Sequence, residues 1–125
     1  MPIPSVAEKY ILVIEDSLVI RDMLTHIIQD EGYRVECCVN GIEAFDYLHT
    51  MAPPQLILLD TMMPFMNADE FLREKQWDPV LADIPVAIIS GYAHDNPDAI
   101  RHIVGYLEKP IELDKLMALV SEYCD

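Results

Sequence analysis

A doubly wound α/β fold is what this sequence predicts, and three observations predict it. Five short apolar segments recur along the 125 residues: YILVI from Tyr10, YRVECC from Tyr33, QLILLD from Gln55, PVAIIS from Pro85 and IVGYLE from Ile103. The first, third and fourth are continuous rather than alternating, which marks strands covered on both faces, as in parallel sheets. Enough chain separates the segments for a helix in between, since parallel crossovers need about a dozen residues or more. Strand then helix, repeated along the chain, builds one sheet with right-handed crossovers.

The first strand, YILVI, runs into Glu15 and Asp16. After it Val19, Ile20, Met23, Leu24, Ile27 and Ile28 fall on one helical face, with Arg21, Asp22, Thr25, His26 and Gln29 on the other. Gly32 supplies the stop. Beyond YRVECC, Asn40 caps a second helix carrying Ile42, Phe45 and Leu48, which APP at 52 to 54 ends. QLILLD carries the third strand to Asp60. A third helix begins at about Asn67 in NADEFLREKQW, and Asp78, Pro79, Asp83 and Pro85 form a loop before PVAIIS. Asn96 and Pro97 make a cap and first-position pair for a short fourth helix. The last helix follows IVGYLE, Lys109 and Pro110, with Leu113, Leu116, Met117 and Val120 on one face. Trp77 is expected to be a partly buried packing residue, and the histidines to lie away from any site.

The length suits one domain spanning 1–125, and 52% hydrophobic residues fill one core. A net charge of −14 repels phosphate backbones and anionic bilayers, so neither nucleic acid nor membrane is an expected partner. MPIPSVAEKY has no basic start and no apolar segment of secretory length, which makes the cytoplasm the expected location. Three cysteines, Cys37, Cys38 and Cys124, form neither a disulfide framework nor a metal-site spacing.

Ligands of such sheets bind beyond the carboxyl ends of the strands. There the sequence places Glu15 and Asp16 after the first strand, Asp60 at the end of the third, Ser90 at the end of the fourth and Lys109 after the fifth. Taken singly, each has a bland role: helix-dipole acids, a loop acid, a turn hydroxyl, a solvated lysine. Jointly, three acids at one edge repel, by on the order of 4 kcal/mol for a pair about 4 Å apart at an effective dielectric near 20. Mg²⁺ and Lys109 are the candidate counter-charges, because an all-oxygen donor set without His or Cys suits a hard cation. A carboxylate so placed can attack phosphorus and form an acyl phosphate.

These residues resemble the receiver domain of two-component response regulators over nearly the whole chain. VIEDS, LLDTMMP, IISGY and YLEKP carry the resemblance. It implies a flavodoxin-like five-stranded parallel sheet of order 2-1-3-4-5 with five helices. It implies that Glu15, Asp16, Asp60 and the backbone carbonyl of Met62 hold Mg²⁺. Asp60 would accept a phosphoryl group from a phosphohistidine on a histidine kinase or histidine phosphotransfer protein. Ser90 and Lys109 would bind the phosphoryl oxygens, and the Lys109–Pro110 peptide would be cis. Tyr106 would change rotamer with Ser90 and alter the surface of the fourth helix, fifth strand and last helix, read by a downstream effector protein or output domain. No turnover of an external substrate is expected. Met62 and Tyr92, two places beyond Asp60 and Ser90, are expected to shield the acyl phosphate from water.

Asn67-Ala68 stands where the family commonly has Asp-Gly, so the loop into the third helix is expected to differ in shape. Three rival readings remain. An aspartyl phosphatase or phosphomutase usually carries a second acid two residues after the nucleophile, where Met62 stands. A flavin carrier needs a phosphate loop where Glu15 and Asp16 stand. A pseudo-receiver keeps the fold as a phosphorylation-independent interaction module, although all five key positions are filled here.

Overall fold

In the computed structural model, residues 9–61, 65–90 and 103–124 are described. The elements alternate as β1 (Tyr10–Ile14), α1 (Leu18–Asp30), β2 (Arg34–Cys38), α2 (Gly41–Thr50), β3 (Leu56–Asp60), α3 (Ala68–Trp77), β4 (Val86–Ser90), β5 (Gly105–Glu108) and α4 (Leu113–Cys124). All five strands are parallel in one sheet of order β2-β1-β3-β4-β5. Four helices, not five, stand among the described residues. The fourth helix expected from Asn96 and Pro97 lies outside them, as do Met62, Tyr92, His94 and His102.

β1, β3 and β4 are buried along their whole length, as their continuous apolar sequences require. Alternate side chains divide the core into two layers. Leu12, Ile14, Ile57, Leu59, Val86 and Ile88 meet Ala44 and Leu48 of α2 and Phe71 and Leu72 of α3. Ile11, Val13, Leu56, Leu58, Ala87 and Ile89 meet Leu24 and Ile28 of α1 and Leu116 and Val120 of α4. Truncating one of these fully buried leucines to Ala costs about 2–5 kcal/mol.

Side-chain caps set where the helices start. Ser17 Oγ accepts from the Ile20 N–H, and Asn40 Oδ1 from the Glu43 N–H at 2.8 Å. Asn67 accepts from the Glu70 N–H at 2.9 Å while the Glu70 carboxylate takes the Asn67 N–H, a reciprocal capping box. Gly32, at φ 94°, ends α1 in the left-handed region. At Gly105 a Cβ would lie 2.9 Å from Leu119 Cδ1, so the missing side chain lets α4 sit close on β5.

The helix faces differ from expectation in one consistent way. Val19, Ile42 and Leu113 are exposed although the periodicity put them on apolar faces, and Met23 is exposed one turn further along α1. Val19, Ile42 and Leu113 all fall in the first turns of their helices. Trp77, expected to be partly buried, is 83% exposed: it ends α3 at the opposite edge of the sheet.

Candidate functional site

Glu15 follows β1 directly, and its N–H donates to Cys38 O at 3.0 Å, extending the β1–β2 ladder by one residue. Its side chain is therefore held by the sheet. Asp60 closes β3 opposite Ile89 of β4. Both carboxylates are buried while Asp16 is exposed, and one oxygen from each of Glu15, Asp16 and Asp60 lies within 4.8 Å of the others. Lys109 Nζ is 3.5 Å from Asp60 Oδ1 and 3.7 Å from Glu15 Oε1. Strand ends thus bring the four predicted charges into one pocket.

One ammonium does not saturate it. Glu15 Oε1 and Asp60 Oδ1 are buried and face Lys109 Nζ, but neither accepts a hydrogen bond, so their desolvation is only partly compensated. Burial raises the proton affinity of Glu15, and the charge of Asp60 adds to this. The Ser17 N–H, which donates to Glu15 Oε2 at 3.2 Å, and Lys109 oppose it. Two buried oxygens that share one ammonium at 3.5 and 3.7 Å and accept no hydrogen bond, beside an exposed third acid, are hard donors that fit a small divalent cation of the Mg²⁺ type.

Ser90 is buried at the end of β4, paired with Glu108. Its carbonyl accepts from the Lys109 N–H at 2.7 Å, which couples the hydroxyl strand to the lysine. The Lys109–Pro110 peptide is cis. Tyr106 lies on β5 opposite Ile88, partly buried against the core layer of α2 and α3. His26 and His49 stand apart from the acids, the first on Asp22 O at 2.9 Å and the second on Asp78 Oδ2 at 2.7 Å. Asn67 and Ala68 simply start α3, and Phe65 takes φ 70°.

Two neighbours of the pocket were not legible as such. Arg21 Nη1 donates to Glu15 O at 3.0 Å and to Asp16 O at 3.4 Å, fastening the acidic turn to α1. In sequence it reads only as one residue of a polar helix face. Thr61 Oγ1 donates to Ser90 Oγ at 3.2 Å, a bond between two strand ends that only the β3–β4 register creates.

A family model for the response regulator receiver domain matches residues 11–121. An alkaline phosphatase synthesis transcriptional regulatory protein of Synechococcus elongatus is 31% identical over 119 residues, which cover 86% of this chain and 46% of that protein. The chain thus spans about half the length of that regulator. The sporulation initiation phosphotransferase F of Bacillus subtilis is 28% identical over 118 residues, covering 90% of this chain and 91% of that one. Among solved structures, a response regulator receiver protein from Pseudomonas putida superposes with a TM-score of 0.85 at 25% identity, covering 93% and 98% of the two chains.

Proposed function

The chain belongs to the response regulator receiver domain family of two-component signalling, and from that premise we propose that Asp60 is its phosphoacceptor. The convergence of Glu15, Asp16, Asp60 and Lys109, with two buried carboxylate oxygens unsatisfied, supports this reading above all. The phosphoryl donor is a phosphohistidine of a histidine kinase or histidine phosphotransfer protein. A carboxylate oxygen of Asp60 forms the new O–P bond as the N–P bond breaks, and the departing imidazole takes up a proton. Lys109 places its charge against the phosphoryl oxygens, and the Ser90 hydroxyl donates to one of them. Glu15, Asp16 and Asp60 would hold Mg²⁺, with the backbone carbonyl of Met62, which lies outside the described residues, as the further ligand that the family resemblance implies; the ion would supply charge neutralisation on the transferring group.

Transfer to Asp60 draws Ser90 toward the new anion, Tyr106 follows, and the surface around β5 and α4 changes for an effector protein or output domain. The chain promotes its own phosphorylation and dephosphorylation and acts on no other substrate. Work in the cytoplasm fits these donors. Among the described residues no helix is long and apolar enough to cross a membrane.

Intact-mass measurement after incubation with acetyl phosphate and Mg²⁺ tests the proposal. A single phosphoryl adduct that disappears in Asp60→Asn is expected. A folded protein that takes no adduct would instead be an interaction module working without phosphorylation.

A further inference from the structure

Thr61 is the residue after the acceptor, half-buried, with its N–H on Ile89 O at 3.2 Å, so β4 holds its backbone. Its side chain turns to the same strand, where Oγ1 donates to Ser90 Oγ at 3.2 Å. A hydroxyl has one proton to give and two lone pairs to receive with. When the Ser90 oxygen accepts from Thr61, its own proton is directed elsewhere. A phosphoryl oxygen on Asp60 needs that proton, since it can only accept.

We infer that Thr61 is a positioning residue: its hydroxyl fixes Ser90 Oγ as an acceptor toward Thr61 and thereby as a donor toward the phosphoryl group. This rests on Asp60 being the acceptor. A hydroxyl rotor settled before reaction does not have to be ordered during it, and that pre-ordering is where the rate advantage arises. Among the described residues Thr61 makes no side-chain hydrogen bond to Glu15, Asp16, Asp60 or Lys109, so the effect is confined to Ser90.

Thr61→Val keeps the branched shape and removes the donor. At saturating Mg²⁺ and acetyl phosphate, its rate of adduct formation is expected to fall about three- to tenfold, the worth of one hydrogen bond. Thr61→Ser is expected to restore the wild-type rate. Mg²⁺ affinity, followed by amide shifts in NMR titration, is expected to stay constant in both variants, and the Ser90 Cβ shift of the metal-free protein to move only in Thr61→Val. If Thr61→Val does not fold, Thr61→Ala takes its place with the same readouts. A wild type that gains the adduct with Thr61→Val equally fast overturns the inference alone, as does a Thr61→Ser as slow as Thr61→Val. A wild type that gains no adduct overturns the acceptor assignment and this inference together.

Discussion

Lys75 of α3 is 1% exposed, and its ammonium donates to Ala82 O at 2.8 Å in the loop that leads to β4. Burial lowers its pKa from 10.5 to about 8, only partly offset by the negative charge of Asp83. In the unfolded chain the lysine keeps its ordinary value. Between about 8 and 10.5 the unfolded state therefore binds more protons than the folded one, and stability rises with pH through that window. At about 1.4 kcal/mol per unit the complete transition amounts to about 3 kcal/mol, of which about 2.5 falls between pH 7 and pH 10. Lys75→Met removes the titrating group while keeping most of the side-chain volume. At pH 7 the variant is expected to be at least as stable as wild type: relief of ammonium desolvation offsets the lost bond to Ala82, worth roughly 1.5–3 kcal/mol. Urea unfolding followed by far-UV circular dichroism at pH 7, 8, 9 and 10 measures both proteins. Their stability difference should shift by about 2.5 kcal/mol in favour of wild type across that range. A difference that stays flat to within about 0.5 kcal/mol would refute the buried, desolvated ammonium.

Lys109→Met takes a competing cation from beside Asp60 and Glu15, so Mg²⁺ is expected to bind more tightly, by roughly tenfold, in a calorimetric titration. Looser binding would mean that the lysine orders the acids rather than competing for them. Phe65 holds φ 70° with its ring 81% exposed, so it gives up backbone energy without a compensating burial. Phe65→Gly is expected to raise stability by about 1 kcal/mol in urea melts; a loss would show that the ring packs. Asn40→Ala removes the acceptor of the Glu43 N–H and is expected to cost about 1 kcal/mol, with hydrogen exchange rising first at the start of α2.

The central strands were legible because a run such as LILLD needs cover on both faces, and few folds other than a parallel sheet provide it. The cap at Asn40 was legible because its chemistry is local. The pocket acids followed from the strands, since a residue placed at the end of a buried strand has only one edge to occupy. Thr61 and Lys75 escaped for the opposite reason. One hydroxyl bond depends on the β3–β4 register, and a buried lysine looks like any other until the Ala82 carbonyl is seen beneath it. Periodicity also misjudged Val19, Ile42 and Leu113, because it reports the spacing of apolar residues and not what packs beside each turn.

The chain has a single tryptophan, Trp77. It ends the ten-residue α3, roughly 15 Å along the axis from the helix start beside the acidic edge, and its indole stands in water. Intrinsic fluorescence of the folded protein should therefore resemble that of free indole and change little on denaturation. Emission will not register events around Asp60. The same isolation makes Trp77 a suitable place for an introduced dye, whose signal would follow tumbling and association while leaving the chemistry at the far edge undisturbed.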